Sequence, residues 1–201
     1  MEQRGPGRPQ GTGQPRVFTN EELAKFKQQL EKECSKWSLL YALTFWYAMR
    51  MVEIAELRMS DFNPHTNEVT IRGRRAGCTR VYGIPERLRM KLNRYLRDRG
   101  KTSNPFLFPG CHYPETQHIS ISSIEQNFQR ILRAAGVDGP HSVEDLRHTQ
   151  ARSLAESGDT LLQITSWLRL REPASAQRYL NHRVSIRDHN ELMNQRGNAE
   201  F

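Results

Sequence analysis

The chain has 201 residues, enough for one hydrophobic core with tails, and carries a formal net charge of +8. Its three cysteines, Cys34, Cys78 and Cys111, are widely spaced and form no C-x-x-C pair, which argues against a disulfide framework or a zinc site. Neither a secretory signal pattern nor a membrane-length apolar run is present, so a reducing cytoplasm is the expected compartment and no membrane partner is expected.

The positive charge is concentrated. From Arg72 to Lys101 there are eleven Arg or Lys and two acids, a net +9, while the rest of the chain nets about −1. Phosphate contacts need clustered cations, so an anionic partner is expected, with a merely solvated basic face as the alternative.

Residues 1–18 form a basic tail whose run MEQRGPGRPQGTGQPR cannot bury a core and is expected to be disordered. Within it, Gly7-Arg8-Pro9 resembles the centre of an AT-hook, which places Arg8 as a minor-groove contact; a plain flexible tail is the alternative. Thr19-Asn20-Glu21-Glu22 is a capping box and starts a first helix, to about residue 32. A second helix covers about 35–49, and its aromatic residues (Trp37, Phe45, Trp46, Tyr47) are expected in the core. A third spans about 52–58. Residues 67–73 and 79–85 read as two strands of a hairpin around the basic turn Arg74-Arg75-Ala76-Gly77-Cys78. A helix over 86–99 turns Leu88, Leu92 and Leu96 inward and sets Arg87, Lys91 and Arg94 on another face.

After an irregular loop over 100–120, a helix is expected over 121–135. Ser142 and Asp145 then form a cap, and the helix they open is stopped by Gly158. Asp159 or Thr160 caps the next helix, with Leu161, Ile164, Trp167 and Leu168 in a stripe. Pro173 suits the first turn of a short third helix carrying Tyr179. The tail 183–201 has room for one short helix with Ile186, His189 and Met193. The fold class is mainly α with a small antiparallel β-sheet.

Two blocks in this pattern resemble the catalytic core of the tyrosine recombinases, the phage-integrase family. Leu146-Arg147-His148-Thr149 is followed, 32 positions after the arginine, by the tyrosine of QRYLNH. Ala48-Met49-Arg50-Met51-Val52-Glu53-Ile54, continuing to Leu57 and Asp61, looks like the family's G-L-R-x-x-E-L…L…D segment. The resemblance covers about residues 19–182 and matches the catalytic domain alone. The resemblance leads to the expectation that the family's upstream helical domain is replaced here by the short N-terminal tail, and the family's C-terminal tails often dock on a neighbouring protomer.

What the resemblance implies is phosphoryl transfer on double-stranded DNA by a homodimer or tetramer, without metal, ATP or other cofactor. A tyrosine hydroxyl attacks the backbone phosphodiester, forms a 3′-phosphotyrosine link and releases a 5′-hydroxyl. Such chemistry needs a positioned nucleophile, cations on the non-bridging oxygens and proton transfer. Arg50 and Arg147 match the clamp arginines, Tyr179 the nucleophile, and Glu53 an acidic partner for an arginine.

Several positions depart from the pattern. Where the family has His three residues before the second arginine, this chain has Glu144, with His141 one turn upstream; either is a candidate for proton transfer, or the role is vacant. The family's L-G-H reads Leu168-Arg169-Leu170, so the second His is Leu170, and Arg169 or Arg171 is left to reach the phosphate. The hairpin lysine aligns with Arg74 or, better, Arg75, which keeps the charge but is a poor proton donor. Further DNA contacts are expected from Arg72, Arg80, Arg87, Lys91 and Arg94. The expected function is a site-specific, strand-transferring recombinase; a catalytically weakened DNA-binding relative that regulates is the alternative, with a type IB topoisomerase-like enzyme behind it.

Overall fold

The computed structural model of the chain describes residues 15–73, 78–111 and 117–180. Eight α-helices and one three-stranded antiparallel sheet are found among them. α1 (Asn20–Leu30) opens on the expected capping box, with Glu22 N–H donating to Thr19 Oγ1 and Thr19 N–H to the Glu22 carboxylate. α2 (Ser35–Trp46) is buried on nearly every side, from Leu39 to Phe45, and packs against α4 (Glu86–Arg99) and α6 (Val143–Glu156). Aromatic residues form the centre of the main core, where Phe26 meets Tyr41 and Phe128 edge to face and those two rings are tilted against each other.

α2 ends earlier than expected, because Ala48 turns into the left-handed region at φ 47 and starts α3 (Met51–Ala55) afresh. α3 also stops short of 58: Arg58 N–H bonds the Asp61 carboxylate at 2.8 Å and bends the chain into a 3-10 turn over Met59–Asp61. β1 (Phe62–Asn63) follows, a strand of two residues too short to announce itself in sequence, and pairs with β2 (Glu68–Ile71). β2 pairs with β3 (Arg80–Gly83), Val69 opposite Tyr82. At the neck of that hairpin, a Cβ on Gly73 would lie 2.5 Å from Cys78 Cβ, so only glycine lets the strands close above the basic turn.

α5 (Ile121–Ala134) and α6 complete the main core. α6 begins at the Ser142 cap, its amide bonded to Asp145 at 3.0 Å. α7 (Leu161–Trp167) is capped by Thr160 and Gln163, and Pro173–Ala176 makes a 3-10 turn into α8 (Gln177–Leu180). The last elements build a second, smaller core from Ala48, Ala151, Leu154, Ala155, Ile164, Leu168, Ala176 and Tyr179.

One difference concerns the N-terminal tail. Pro15–Phe18 belongs to the folded body: Phe18 is buried, stacks on His141 at 4.1 Å, and donates its amide to Thr149 Oγ1 at 2.9 Å. A lone aromatic after a Gly/Pro-rich run gives no periodicity, so the sequence hid it. Arg8, Arg74, Arg75 and the segment 183–201 lie outside the described residues. No helix among the described residues is long and apolar enough to cross a membrane.

Candidate active site

The charged residues singled out in the sequence converge where the two cores meet. Arg50 is the N-cap of α3, and Glu53, one turn on, answers it twice: Oε2 accepts from the Arg50 amide at 2.9 Å and Oε1 from Nη1 at 3.0 Å. Arg147 reaches the same turn from α6. Its Nη1 donates to the carbonyl of Ala48, its Nη2 to Leu168 O at 2.6 Å, and Nη1 stands 4.0 Å from the Glu53 carboxylate. Its Nε lies 3.5 Å from Glu144. The two guanidinium groups therefore share one acidic partner and one side of the molecule.

A third guanidinium, Arg169, is the surprise. It is fully buried and donates to Glu53 Oε2 at 2.8 Å, Ala48 O at 2.9 Å, Tyr47 O at 3.0 Å and the Tyr82 hydroxyl at 2.7 Å. The expectation that Arg169 reaches a phosphate is corrected: it is walled in and cross-links the α2–α3 turn, the sheet and the end of α7. Its backbone is left-handed at φ 53, as Ala48's is at φ 47. These are the two positions where the resembled motifs carry glycine, so the backbone shape persists without the residue that favours it. Arg171 is exposed, and Leu170 packs against the small core.

Burial and charge set the protonation states. Burial is the largest influence on Glu53 and raises its pKa, but Arg169, Arg50 and Arg147 together outweigh it and hold the carboxylate below its ordinary range. Glu144 shifts the other way: burial raises it against the pull of Arg147 and Arg50. Arg147 is pushed down to about 10 by burial, then by Arg50 and Arg169.

Tyr179 lies beside this group but is not open to solvent. It is 4% exposed in the small core, and its hydroxyl is 2.7 Å from Nδ1 of His148. Burial raises the phenol's pKa, while Arg178 and Arg147 pull it down. The Arg178 guanidinium sits 5.1 Å from the phenol ring centre.

His148 and Arg178 join the site without a signal of their own in the sequence. Each adjoins a residue that the motifs single out, but a contact between α6 and α8 cannot be counted along the chain.

His141 is not brought to this group. Its ring stacks on Phe18 and faces Glu22 and Asp145 at 3.4 Å each, at the α1 side of the molecule. Among the expected DNA contacts, Arg87 and Arg94 are exposed on α4. Arg72 is exposed and paired with Asp61, and Arg80 bonds Ser166 Oγ at 3.1 Å. Lys91 departs from them: only 16% of its side chain is exposed, and Nζ is held by Glu31 at 2.7 Å and Ser38 Oγ at 3.0 Å. On α4 it falls nearer the buried Leu88 and Leu92 than Arg87 and Arg94 do, at about 100° of rotation per residue. It pins α4 to α1 and α2.

Comparison with known proteins places the fold and the family. Residues 16–185 match the phage integrase family. The tyrosine recombinase XerA of Pyrococcus furiosus is 28% identical over 145 residues, 72% of this chain and 49% of that protein. That of Pyrococcus horikoshii is 26% identical over the same length. The chain thus spans about half the length of the curated relatives it matches. Among solved structures, a XerA recombinase superposes with a TM-score of 0.74 at 20% identity, over 96% of this chain and 67% of that one. A XerH site-specific recombinase in a post-cleavage complex with a palindromic difH substrate gives 0.73 at 21% identity, over 87% and 52%.

Proposed function

The chain belongs to the phage integrase family, and on that footing we propose that it binds double-stranded DNA and cuts and rejoins it at specific sites through a 3′-phosphotyrosine link. One observation carries this reading: Arg50 and Arg147, from separate helices, are tied to the same turn and the same carboxylate, with Tyr179 next to Arg147. Arg50 and Arg147 would hold the non-bridging oxygens of one phosphate, since a planar guanidinium that stays charged suits such a clamp. Tyr179 would be the nucleophile. Glu144 is better placed than His141 to exchange protons there, because it stands against Arg147 while the His141 ring is engaged by Phe18.

Arg75 would supply the charge at the hairpin turn. Arg72, Arg74, Arg80, Arg87 and Arg94 would contact backbone phosphates, and Arg8 the minor groove; Lys91 is withdrawn from that set. The catalytic unit would span residues 19–182, joined by the folded Pro15–Phe18. Pairing of two sites calls for a dimer or tetramer on DNA, and a cytoplasmic setting follows from that substrate. Neither metal nor cofactor is needed, because the phosphotyrosine link conserves the bond energy.

Tyr179 is only 4% exposed, so the site has to open to admit a phosphate. The same burial, together with Leu170 in place of a histidine, favours a second reading: a relative that occupies DNA sites without cutting them. A nicked suicide duplex, carrying a sequence selected by binding from a random pool, separates the two. A covalent protein–DNA adduct that Tyr179→Phe abolishes supports strand transfer. Salt-sensitive binding with no adduct leaves only the second.

A further inference from the structure

Neither the arginine clamp nor the nucleophile by itself accounts for the contact between His148 and Tyr179. His148 lies on α6, directly after the clamp arginine, and its Nδ1 is 2.7 Å from the Tyr179 hydroxyl, with the two rings 5.9 Å apart. Arg178 from α8 faces the imidazole, as do Asp145 and Arg147 from its own helix. Burial, then Arg178, holds its pKa down to about 4, so at neutral pH it is uncharged and has a lone pair to offer. The phenol, raised by its own burial, keeps its proton. With the imidazole in its Nε2–H tautomer, the phenol O–H donates to Nδ1.

We propose that His148 is a catalytic residue, the acceptor of the Tyr179 proton during strand cleavage. This rests on the strand-transfer reading above. As the phenolic oxygen bonds to phosphorus, its proton passes to Nδ1 of His148 and the bond from phosphorus to the 5′-oxygen breaks. The leaving oxygen keeps the electron pair and takes a proton from water. Rejoining runs the same path backwards, with the imidazolium returning its proton to the phenol. A weak base suffices, because a phenol oxygen already bonding to phosphorus is far more acidic than a free phenol. The incoming phosphate also offsets the charges of Arg147 and Arg178 that hold the imidazole down. Neither Glu144 nor a histidine at position 170 is required for this proton.

The test is single-turnover adduct formation by the full chain on the nicked duplex described above, from pH 5 to 10. His148→Ala and His148→Asn are compared with wild type, with and without added imidazole. Both variants are expected to bind the duplex within about twofold of wild type. Their adduct rates are expected to fall by roughly 10²–10⁴, a deficit that narrows at high pH as the phenol ionises unaided. Imidazole should restore part of the His148→Ala rate. Adduct formation at the wild-type rate or faster in either variant would overturn the proposal and make the contact one that only stores the phenol. If wild type itself forms no adduct, the strand-transfer reading fails first and takes this one with it.

Discussion

Arg169 and Glu53 meet at 2.8 Å with side-chain exposures of 0% and 2%, at the junction of the two cores. Removing one partner from so buried a pair strands the other charge. Glu53→Gln and Arg169→Ala are each expected to cost about 3–5 kcal/mol. The double variant should cost clearly less than the sum of the two. Urea denaturation of the four proteins checks this, and simple additivity would mean that the pair does not couple.

The left-handed backbone at Ala48 and Arg169 gives a separable prediction. Ala48→Val should destabilise by at least about 1–2 kcal/mol, because a β-branched side chain resists positive φ. Arg169→Gly should be less damaging than Arg169→Ala by a margin of about 1 kcal/mol, since both remove the guanidinium but only glycine relaxes the turn. Thermal melting of these variants would show whether the order holds.

Stability should also depend on pH through His148 and Glu53. The His148 pKa is lowered from 6.5 to about 4 on folding. The unfolded chain therefore takes up this proton first, and stability present above about pH 6.5 is lost as the pH falls towards 4. The full effect is at most about 3 kcal/mol, and His148→Gln should flatten the curve in that window. Glu53, also lowered, has the same sign: its contribution is present above the ordinary carboxylate range and disappears in acid below it. Denaturation midpoints measured from pH 3.5 to 8 resolve the two.

DNA binding should sort the basic residues by what they touch. Arg87→Ala and Arg94→Ala are each expected to reduce the slope of log affinity against log salt by up to about 0.9, the value for one phosphate no longer neutralised. Lys91→Met should leave that slope unchanged while lowering stability, because Lys91 is bonded to Glu31 and Ser38. Arg75→Ala should slow adduct formation more than it weakens binding; equal reduction of both would make Arg75 a phosphate anchor.

What could be read from the sequence divides by the range of the interaction. The caps at Thr19, Ser142 and Thr160 were legible because each lies within one turn of its partner. The motif spacings singled out Arg50, Glu53, Arg147 and Tyr179, which the fold brings near one another. The hidden features join distant segments: Glu53 and Arg169 are 116 positions apart, and His148 and Tyr179 are 31 apart. Arg169 was doubly hidden, since a charged residue in a turn suggests the surface, and positive φ suggests glycine. Lys91 defeats the same reasoning, because a pattern of charges on a helix does not reveal which neighbour packs over its edge.

The docking of Phe18 has a practical consequence for anyone who shortens or extends the protein. Arg16 holds Pro140 O at 2.8 Å, and the amide of Phe18 holds Thr149, two residues after Arg147 on the same helix. A chain trimmed to start at Thr19 would leave a hole beside Phe26 and Phe128 and slacken the helix that carries the arginine. Any tag or partner fused upstream would pull on that helix through the Phe18–Thr149 bond, and on the loop before it through Arg16 and the Phe18 ring, so a spacer ahead of residue 15 is the safer attachment.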